Sequence, residues 1–199
     1  MYVKKRYRSL LALIAFFLML ITFSSNGFGN TQDSEEYKIK AGFLYKFLFF
    51  VEWPKEAAVE PVKIMTIGIL GKDSFGDIFK PIEGEIINGQ KLAIKRFEKG
   101  TAEKYLKGCH LLFISSSLQE DMEDILQSLK PYPVLTVSEV EGFGELGGMI
   151  NFIIMKDKVR FEINKKAAER VGIKIRSKLL RVSVRVVESN HEDKYKKQK

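Results

Sequence analysis

The sequence predicts an α/β fold in three layers, in which helices flank a mostly parallel sheet and an antiparallel hairpin follows near the C-terminus. Short apolar segments bounded by glycine or proline are the first observation, because strands covered on both faces are nearly continuous apolar runs. Segments with helical apolar spacing alternate with them, which is typical of parallel strands joined by crossover helices. After residue 148 this alternation is replaced by two strand patterns joined by a polar turn.

The first predicted helix runs from an N-cap at Asp33 to a stop at Pro54. Glu36, three residues after Asp33, completes a capping box and places negative charge in the first turn. Two adjacent apolar stripes leave only a narrow polar face with Lys40 and Lys46, so the helix needs packing partners on more than one side. The stripes consist of Ile39, Phe43, Phe47 and Phe50, and of Leu44, Leu48 and Val51.

Four strands are predicted next, at residues 62–70, 91–97, 110–115 and 133–139. The second of these alternates apolar and charged residues, which favours a place nearer the sheet edge. Residues 118–130 have helical apolar spacing, and Ser115 to Ser117 can cap that helix.

The C-terminal third predicts a hairpin in which residues 149–155 and 159–164 flank the turn at Lys156 to Lys158. Asn164 can then cap a helix that Gly172 ends. Residues 176–188 fit either a short helix or an alternating strand, and the pattern does not decide between them. Residues 189–199 have the composition of a frayed basic tail.

The N-terminus has the layout of a signal peptide. Four basic residues precede the apolar run from Leu10 to Phe23, and small polar residues follow it. A bilayer-spanning helix usually needs about 20 apolar residues, so a cleaved signal peptide over residues 1–27 is favoured over an uncleaved anchor. The sequence therefore predicts export across the inner membrane, with residues 33–188 as the mature α/β domain and no membrane insertion after processing.

The chain carries 33 Lys and Arg against 25 Asp and Glu, a formal net charge of +8. Four of the basic residues belong to the predicted signal peptide, which leaves 29 positive and 25 negative side chains. The basic character is therefore largely a property of the leader, and a nucleic-acid partner is not supported. Cys109 is the one cysteine in the sequence, so no internal disulfide can form even in an oxidising compartment.

No pattern in the sequence predicts catalysis, a metal or a cofactor. Gly142 to Gly147 match the spacing of a dinucleotide-binding loop, but a strand-like run follows where that chemistry needs a helix N-terminus. Cys109 and His110 are adjacent in a predicted strand and so point to opposite faces, while His191 lies in the predicted tail. Cysteine and histidine spacing is also wrong for zinc.

A hypothetical ligand crevice is predicted at the carboxyl ends of neighbouring strands, where open α/β sheets bind small molecules. Serines that follow one strand can present amide donors to an anion, and a glycine, a lysine and a carboxylate follow another. The candidate ligand-binding residues are Gly71, Lys72, Asp73, Ser115, Ser116 and Glu139. A periplasmic small-molecule-binding sensor module is the corresponding alternative function.

A partner-binding surface is predicted from the excess of aromatic residues on the first helix. Exposed aromatic and arginine side chains dominate binding energy at interfaces, and large apolar patches mark association sites, including those of homodimers. The candidate residues are Phe47, Phe50, Trp53, Arg160 and Glu162. A cross-strand ion pair is the simpler explanation for Arg160 and Glu162.

Six segments, in this order and spacing, resemble the YfiR-like family of exported bacterial proteins over about residues 36–188. They are IKAGFLYKFLFFVEWP, IGILGKDSFG, GCHLLFISSS, PVLTVSEVEGF, GGMINFIIMKDKVRFEIN and SKLLRV. The resemblance implies a periplasmic α/β protein, not an enzyme, that binds the periplasmic part of a membrane diguanylate cyclase and represses it. Lower cyclic di-GMP signalling and less biofilm would follow.

The resemblance also implies homodimer formation, and a membrane sensor kinase is the other kind of partner it suggests. Control by oxidation of paired cysteines, known in this family, does not carry over to a chain with Cys109 alone. The predicted mechanism is stoichiometric, because occupancy of the partner's periplasmic domain favours one of its conformations.

Overall fold

A mixed eight-stranded sheet forms the centre of the structure, a computed structural model that describes residues 30–54 and 64–187. The predicted signal peptide and basic tail lie outside these residues. The strands are β1 Val51–Glu52, β2 Ile64–Leu70, β3 Ile86–Ile87, β4 Gln90–Phe97, β5 Leu111–Ile114, β6 Leu135–Ser138, β7 Ile150–Met155, β8 Lys158–Asn164, β9 Lys174–Ile175 and β10 Arg185–Val187. The helices are α1 Asn30–Phe50, α2 Glu103–Leu106, α3 Met122–Leu129, α4 Lys165–Arg170 and α5 Ser177–Val182, and Lys80–Ile82 and Ser116–Asp121 form 3-10 turns.

The sheet has the order β10-β8-β7-β6-β5-β2-β4-β3, and β1 and β9 form a separate antiparallel pair. Strands β4, β2, β5, β6 and β7 are parallel to one another. Strand β3 is antiparallel to β4 and strand β8 is antiparallel to β7, whereas β10 is parallel to β8. The α/β class and the C-terminal hairpin are confirmed, whereas the mostly parallel sheet is replaced by a mixed one because both flanks of the parallel core reverse direction.

Helix α1 crosses one face of the sheet in the direction opposite to the central strands. Tyr37 and Lys40, near its middle, lie at Glu139, just after β6 ends, and Trp53 beyond its last turn lies at His110, just before β5 begins. The helix starts at Asn30, so Asp33 lies inside the first turn and is not the predicted N-cap. It ends at Phe50 because the chain pairs as β1 before it reaches Pro54.

Two apolar clusters form, and successive residues of the central strands contribute to them alternately. Ile67, Ile69 and Phe113 belong to the larger cluster, which α1, α4 and α5 also join. Leu112 and Ile114 belong to the second cluster, together with α2 and α3. The wide apolar surface predicted for α1 is therefore explained mostly by burial in the larger cluster.

Local capping follows the sequence prediction at two helices. Ser115 accepts a hydrogen bond from the Ser117 amide and begins the 3-10 turn that leads into α3. Asn164 accepts a hydrogen bond from the Ala167 amide at 3.0 Å and begins α4. The sequence pattern of residues 176–188 fits either a helix or a strand. In the structure, residues 176–187 contain both, first the helix α5 and then the edge strand β10.

The glycine-rich loop between β6 and β7 holds an aromatic ring in the smaller cluster. Phe143 is fully buried there, and a side chain added at Gly148 would overlap its ring. The loop leads directly into β7 and not into a helix, so the interpretation of Gly142 to Gly147 as a turn-rich loop agrees with the structure.

We expect Gly148→Ala to destabilise the protein by about 1–3 kcal/mol in urea unfolding, because the new methyl group overpacks a buried ring. Gly42→Ala is the matched control. Gly42 is exposed on α1 with open space around it, so alanine there should stabilise by about 0.5–1 kcal/mol. Equal effects of the two changes would contradict the packing described for this loop.

Candidate functional site

The predicted crevice residues come together at the carboxyl ends of three adjacent strands. Gly71 follows β2, Ser115 follows β5 and Glu139 follows β6, and these strands are neighbours in the sheet. The Lys72 amide donates a hydrogen bond to Ser117 Oγ at 3.0 Å, which joins the first two loops. Ser116 Oγ donates to Glu139 Oε1 at 2.9 Å and joins the second loop to the third.

Glu139 is the centre of a buried polar cluster that includes two residues of α1. The Lys40 ammonium lies 2.5 Å from Glu139 Oε2, and the Tyr37 hydroxyl donates to Glu139 Oε1 at 2.8 Å. The Lys40 nitrogen also lies 4.7 Å from the centre of the Tyr37 ring. Together with Ser116, these groups form what we call the Glu139 cluster: Tyr37, Lys40, Ser116 and Glu139.

Both charges of the cluster are removed from water, since Lys40 is only 3% exposed and the Glu139 side chain 12%. Burial by itself raises the pKa of the Glu139 carboxyl, but Lys40 and the hydrogen bonds from Tyr37 and Ser116 outweigh it. The pKa is therefore held below its usual value of 4.5. Burial and the neighbouring carboxylate raise the pKa of the Tyr37 hydroxyl.

Two residues of the Glu139 cluster, Tyr37 and Lys40, are not among the candidates predicted from the sequence. The sequence analysis places Lys40 on the polar face of the helix and gives Lys72 as the cation of the crevice. Lys72 is exposed, whereas Lys40 lies under the loops. The spacing contained a signal, because Lys40 falls four residues before Leu44 on the apolar stripe that continues to Leu48.

The other crevice residues have structural partners within the chain. Asp73 accepts hydrogen bonds from the Phe75 and Gly76 amides. It also forms an ion pair with Arg96, whose Nε lies 2.6 Å from Asp73 Oδ2. Ser115 is buried as a cap, and Gly71 has a φ of +92° with Ser117 close to where a side chain would be. These contacts order the loops at the strand ends.

At the amino ends of the central strands, Trp53 packs on the residues that precede β5. Its indole nitrogen donates to the His110 carbonyl at 2.9 Å, and the two rings meet edge to face at 5.6 Å. His110 Nδ1 accepts from the Thr66 amide, and burial lowers the pKa of its imidazole. Burial raises the pKa of the Cys109 thiol to about 12, so this thiol is not an activated nucleophile.

The predicted partner-binding residues do not form one surface. Phe47 is 0% exposed and stacks on Phe152, so its expected role at an interface is corrected to one in the core. Phe50 and Trp53 are half-buried at the end of α1. Arg160 and Glu162 point to the sheet face opposite the one that α1 covers, because they alternate with the core residue Phe161.

Glu162 forms a cross-strand ion pair, as the simpler explanation of this residue predicts. Arg185 of β10 lies directly beside it and donates two hydrogen bonds to its carboxylate, at 2.8 and 3.1 Å. Arg185 also contacts Glu145 in the glycine-rich loop at 3.2 Å. The pair therefore attaches the edge strand, whereas Arg160 remains exposed.

Within residues 30–54 and 64–187, no three His, Cys, Asp or Glu side chains are grouped in a way that could hold a metal ion. In the same residues, no helix has both the length and the apolar character needed to span a bilayer.

Comparison with known proteins gives one family and one fold. The YfiR/HmsC-like family model matches residues 37–184. The crystal structure of a conserved domain protein from Vibrio cholerae superimposes with a TM-score of 0.50 at 11% identity, covering 76% of this chain and 60% of that one. At this identity the second match shows similarity of fold alone.

We expect Lys40 and Glu139 to be strongly coupled in a double-mutant cycle. Lys40→Met leaves a carboxylate buried without its cation and should cost about 3 kcal/mol, whereas Lys40→Met with Glu139→Gln should cost about 1–3 kcal/mol less than the sum of the single changes. The exposed pair Lys80 and Asp77 is the matched control, with coupling below about 0.5 kcal/mol. Urea unfolding at pH 7 measures both, and similar coupling at the two pairs would contradict the burial of the cluster.

The cost of Lys40→Met should also shrink on acidification. In the unchanged protein the Glu139 pKa is lowered, so its stabilising contribution is present above pH 4.5 and is lost as the pH falls through the lower folded pKa. Without Lys40, burial dominates and raises the pKa of Glu139. On acidification the variant therefore neutralises its buried carboxylate at a higher pH than the unchanged protein does. Unfolding at several pH values between 7 and 3 tests this, and a cost that grows on acidification would contradict it.

Proposed function

This chain belongs to the YfiR/HmsC-like family, and from that premise we propose that it binds the periplasmic part of a membrane diguanylate cyclase and represses it. Proteins of this family are periplasmic regulators and not enzymes, and they act with membrane-associated signalling partners in cyclic di-GMP control. Repression of the partner would lower cyclic di-GMP and biofilm formation. A related sensor kinase is the other partner type to which the same mechanism applies.

The observation that carries this proposal is the extent of the family match, which includes every strand from β1 to β9 and most of α1. The chemistry of the described residues supports a binding role. Glu139, His110 and Cys109 are the groups one would first examine for reactivity, and each is held by burial or by internal hydrogen bonds. Their contacts stabilise the fold.

The proposal includes export, with residues 1–27 removed, residues 33–188 as the regulatory domain and residues 189–199 as a basic tail.

Repression by binding is a population shift in the partner. To move a two-state partner from 1:99 to 99:1, a regulator must bind the favoured state about 10⁴-fold more tightly. The protein thus needs a selective surface and no turnover.

We place the first contact to be tested at Phe50 and Trp53, at the carboxyl-terminal end of α1. Both rings are partly accessible, and Lys178 lies over the Phe50 ring at 5.7 Å. Aromatic residues beside cations are the types that dominate interface energies. Arg160 lies on the other sheet face and would serve a separate contact, while Glu162 is engaged by Arg185.

Homodimer formation is part of the proposal as well. On α1, Ile39 is 48% exposed, and Phe43, one turn later on the same side of the helix, is partly exposed. An apolar strip of this kind is typical of a self-association surface. The alternative sensor role would require a ligand to enter among the Glu139 cluster and the loops at Lys72 and Asp73, whose polar groups already bond to one another.

Deletion of the gene should raise cellular cyclic di-GMP, and the unchanged gene should reverse the rise. The Phe50→Ala/Trp53→Ala variant should fail to reverse it and should capture its membrane partner at least about 30-fold more weakly in crosslinking, because loss of an interface hot spot costs about 2 kcal/mol.

Tyr105→Ala is the matched control, since this exposed aromatic residue lies on α2, away from α1. It should restore repression fully. Circular dichroism and periplasmic protein levels must be equal among the variants. No change in cyclic di-GMP on deletion would reject repression, whereas full capture by a folded Phe50→Ala/Trp53→Ala protein would reject only this surface.

A further inference from the structure

Positive charge is concentrated in the last part of the described chain. Residues 165–187 contain eight Lys or Arg and one Glu. Residues 30–54 and 64–164 together contain 15 Lys or Arg and 19 Asp or Glu, so the rest of the described protein is net negative. The molecule is electrically polarised along its sequence, a feature that the regulatory role alone does not explain.

In the folded protein, the basic residues of this segment lie on the outer surface. Residues 165–187 form α4, β9, α5 and β10, and their apolar side chains pack into the larger cluster beside α1. The buried members are Ala167, Ala168, Ile173, Ile175 and Leu179. Because these face the sheet, the charged residues of the same segment are left on the outer side.

Some of the eight cations have carboxylate partners. Lys165 pairs with Glu169, Arg176 with Glu52, and Arg185 with Glu162. Four others are fully on the surface, and no carboxylate of the described residues lies within 4 Å of them. These four, which we call the basic face, are Lys166, Lys174, Lys178 and Arg181.

Apolar side chains are exposed beside the basic face. Val182 at the end of α5 is 60% exposed, and Val184 is 41% exposed. Phe50 adds a partly exposed ring next to Lys178. Exposed basic and apolar residues that lie side by side, as Lys178 and Val182 do one turn apart on α5, are typical of segments that lie in the headgroup region of a bilayer.

We propose that the basic face binds an anionic phospholipid surface and orients the protein with α5 toward the bilayer. Its charges are spread over the outside of two helices and a short strand, an arrangement that suits a broad array of phosphate groups. The net negative remainder of the protein would be repelled from the same surface, which defines the orientation. This interaction goes beyond the proposed repression and needs no protein partner.

The test is cosedimentation of the purified processed protein with vesicles of phosphatidylcholine containing one quarter phosphatidylglycerol. We expect binding that is absent with pure phosphatidylcholine and that weakens strongly between 0.05 and 0.5 M NaCl, because salt screens charge attraction. The variant Lys166→Gln/Lys174→Gln/Lys178→Gln/Arg181→Gln should bind about 600-fold more weakly, since each of the four basic residues near such a surface contributes about fivefold.

The matched control removes the same number of charges elsewhere, as Lys91→Gln/Lys104→Gln/Lys107→Gln/Lys158→Gln, at four exposed positions. It should retain most of the binding, and melting temperatures confirm that both variants fold. Equal loss in the two variants, or no binding to phosphatidylglycerol vesicles, would overturn the proposal. Release from the vesicles by polyglutamate at equal charge concentration would also overturn it and indicate an acidic protein partner. None of these outcomes bears on cyclic di-GMP, so repression is tested separately.

Discussion

The buried ion pair between Lys40 and Glu139 is the constraint on which the arrangement of this protein depends. It joins the middle of α1 to the loop after β6, while Trp53 joins the chain just after the same helix to the residue before β5. The second half of the helix is therefore fixed at two points across one face of the sheet. A buried charge that loses its partner is costly, so this pair selects one register of the helix among those that its wide apolar surface would permit.

The same pair also links α1 to the strand ends at which the ligand crevice is predicted. In open α/β sheets the carboxyl edge usually binds the ligand, but here Tyr37 and Lys40 from α1 occupy the polar groups of that edge. Polar groups that the sequence predicts for a ligand form hydrogen bonds and an ion pair with one another within the chain. What remains for recognition is the outer surface, namely the aromatic end of α1 and the basic face of α4, β9 and α5.

These two surfaces are contiguous at Phe50 and Lys178. A regulator that acts on a membrane protein gains from lying on the bilayer with its recognition residues at the same edge, because its search is then confined to two dimensions. The proposed lipid contact and the proposed protein contact are thus compatible in geometry, although each rests on its own observations.

Much of the fold could be predicted from local patterns. The four strands β2, β4, β5 and β6, the hairpin of β7 and β8, and the caps at Ser115 and Asn164 follow from apolar runs and side chains that bond within a few residues. Only the tertiary structure decided the rest: the mixed sheet, Phe47 in the core, Arg185 as the partner of Glu162, and Lys40 at the strand ends. The physical reason is sequence distance. Strand and cap patterns depend on neighbours a few residues away, whereas Lys40 and Glu139 meet across 99 residues, where periodicity shows that a position is buried but not what it contacts.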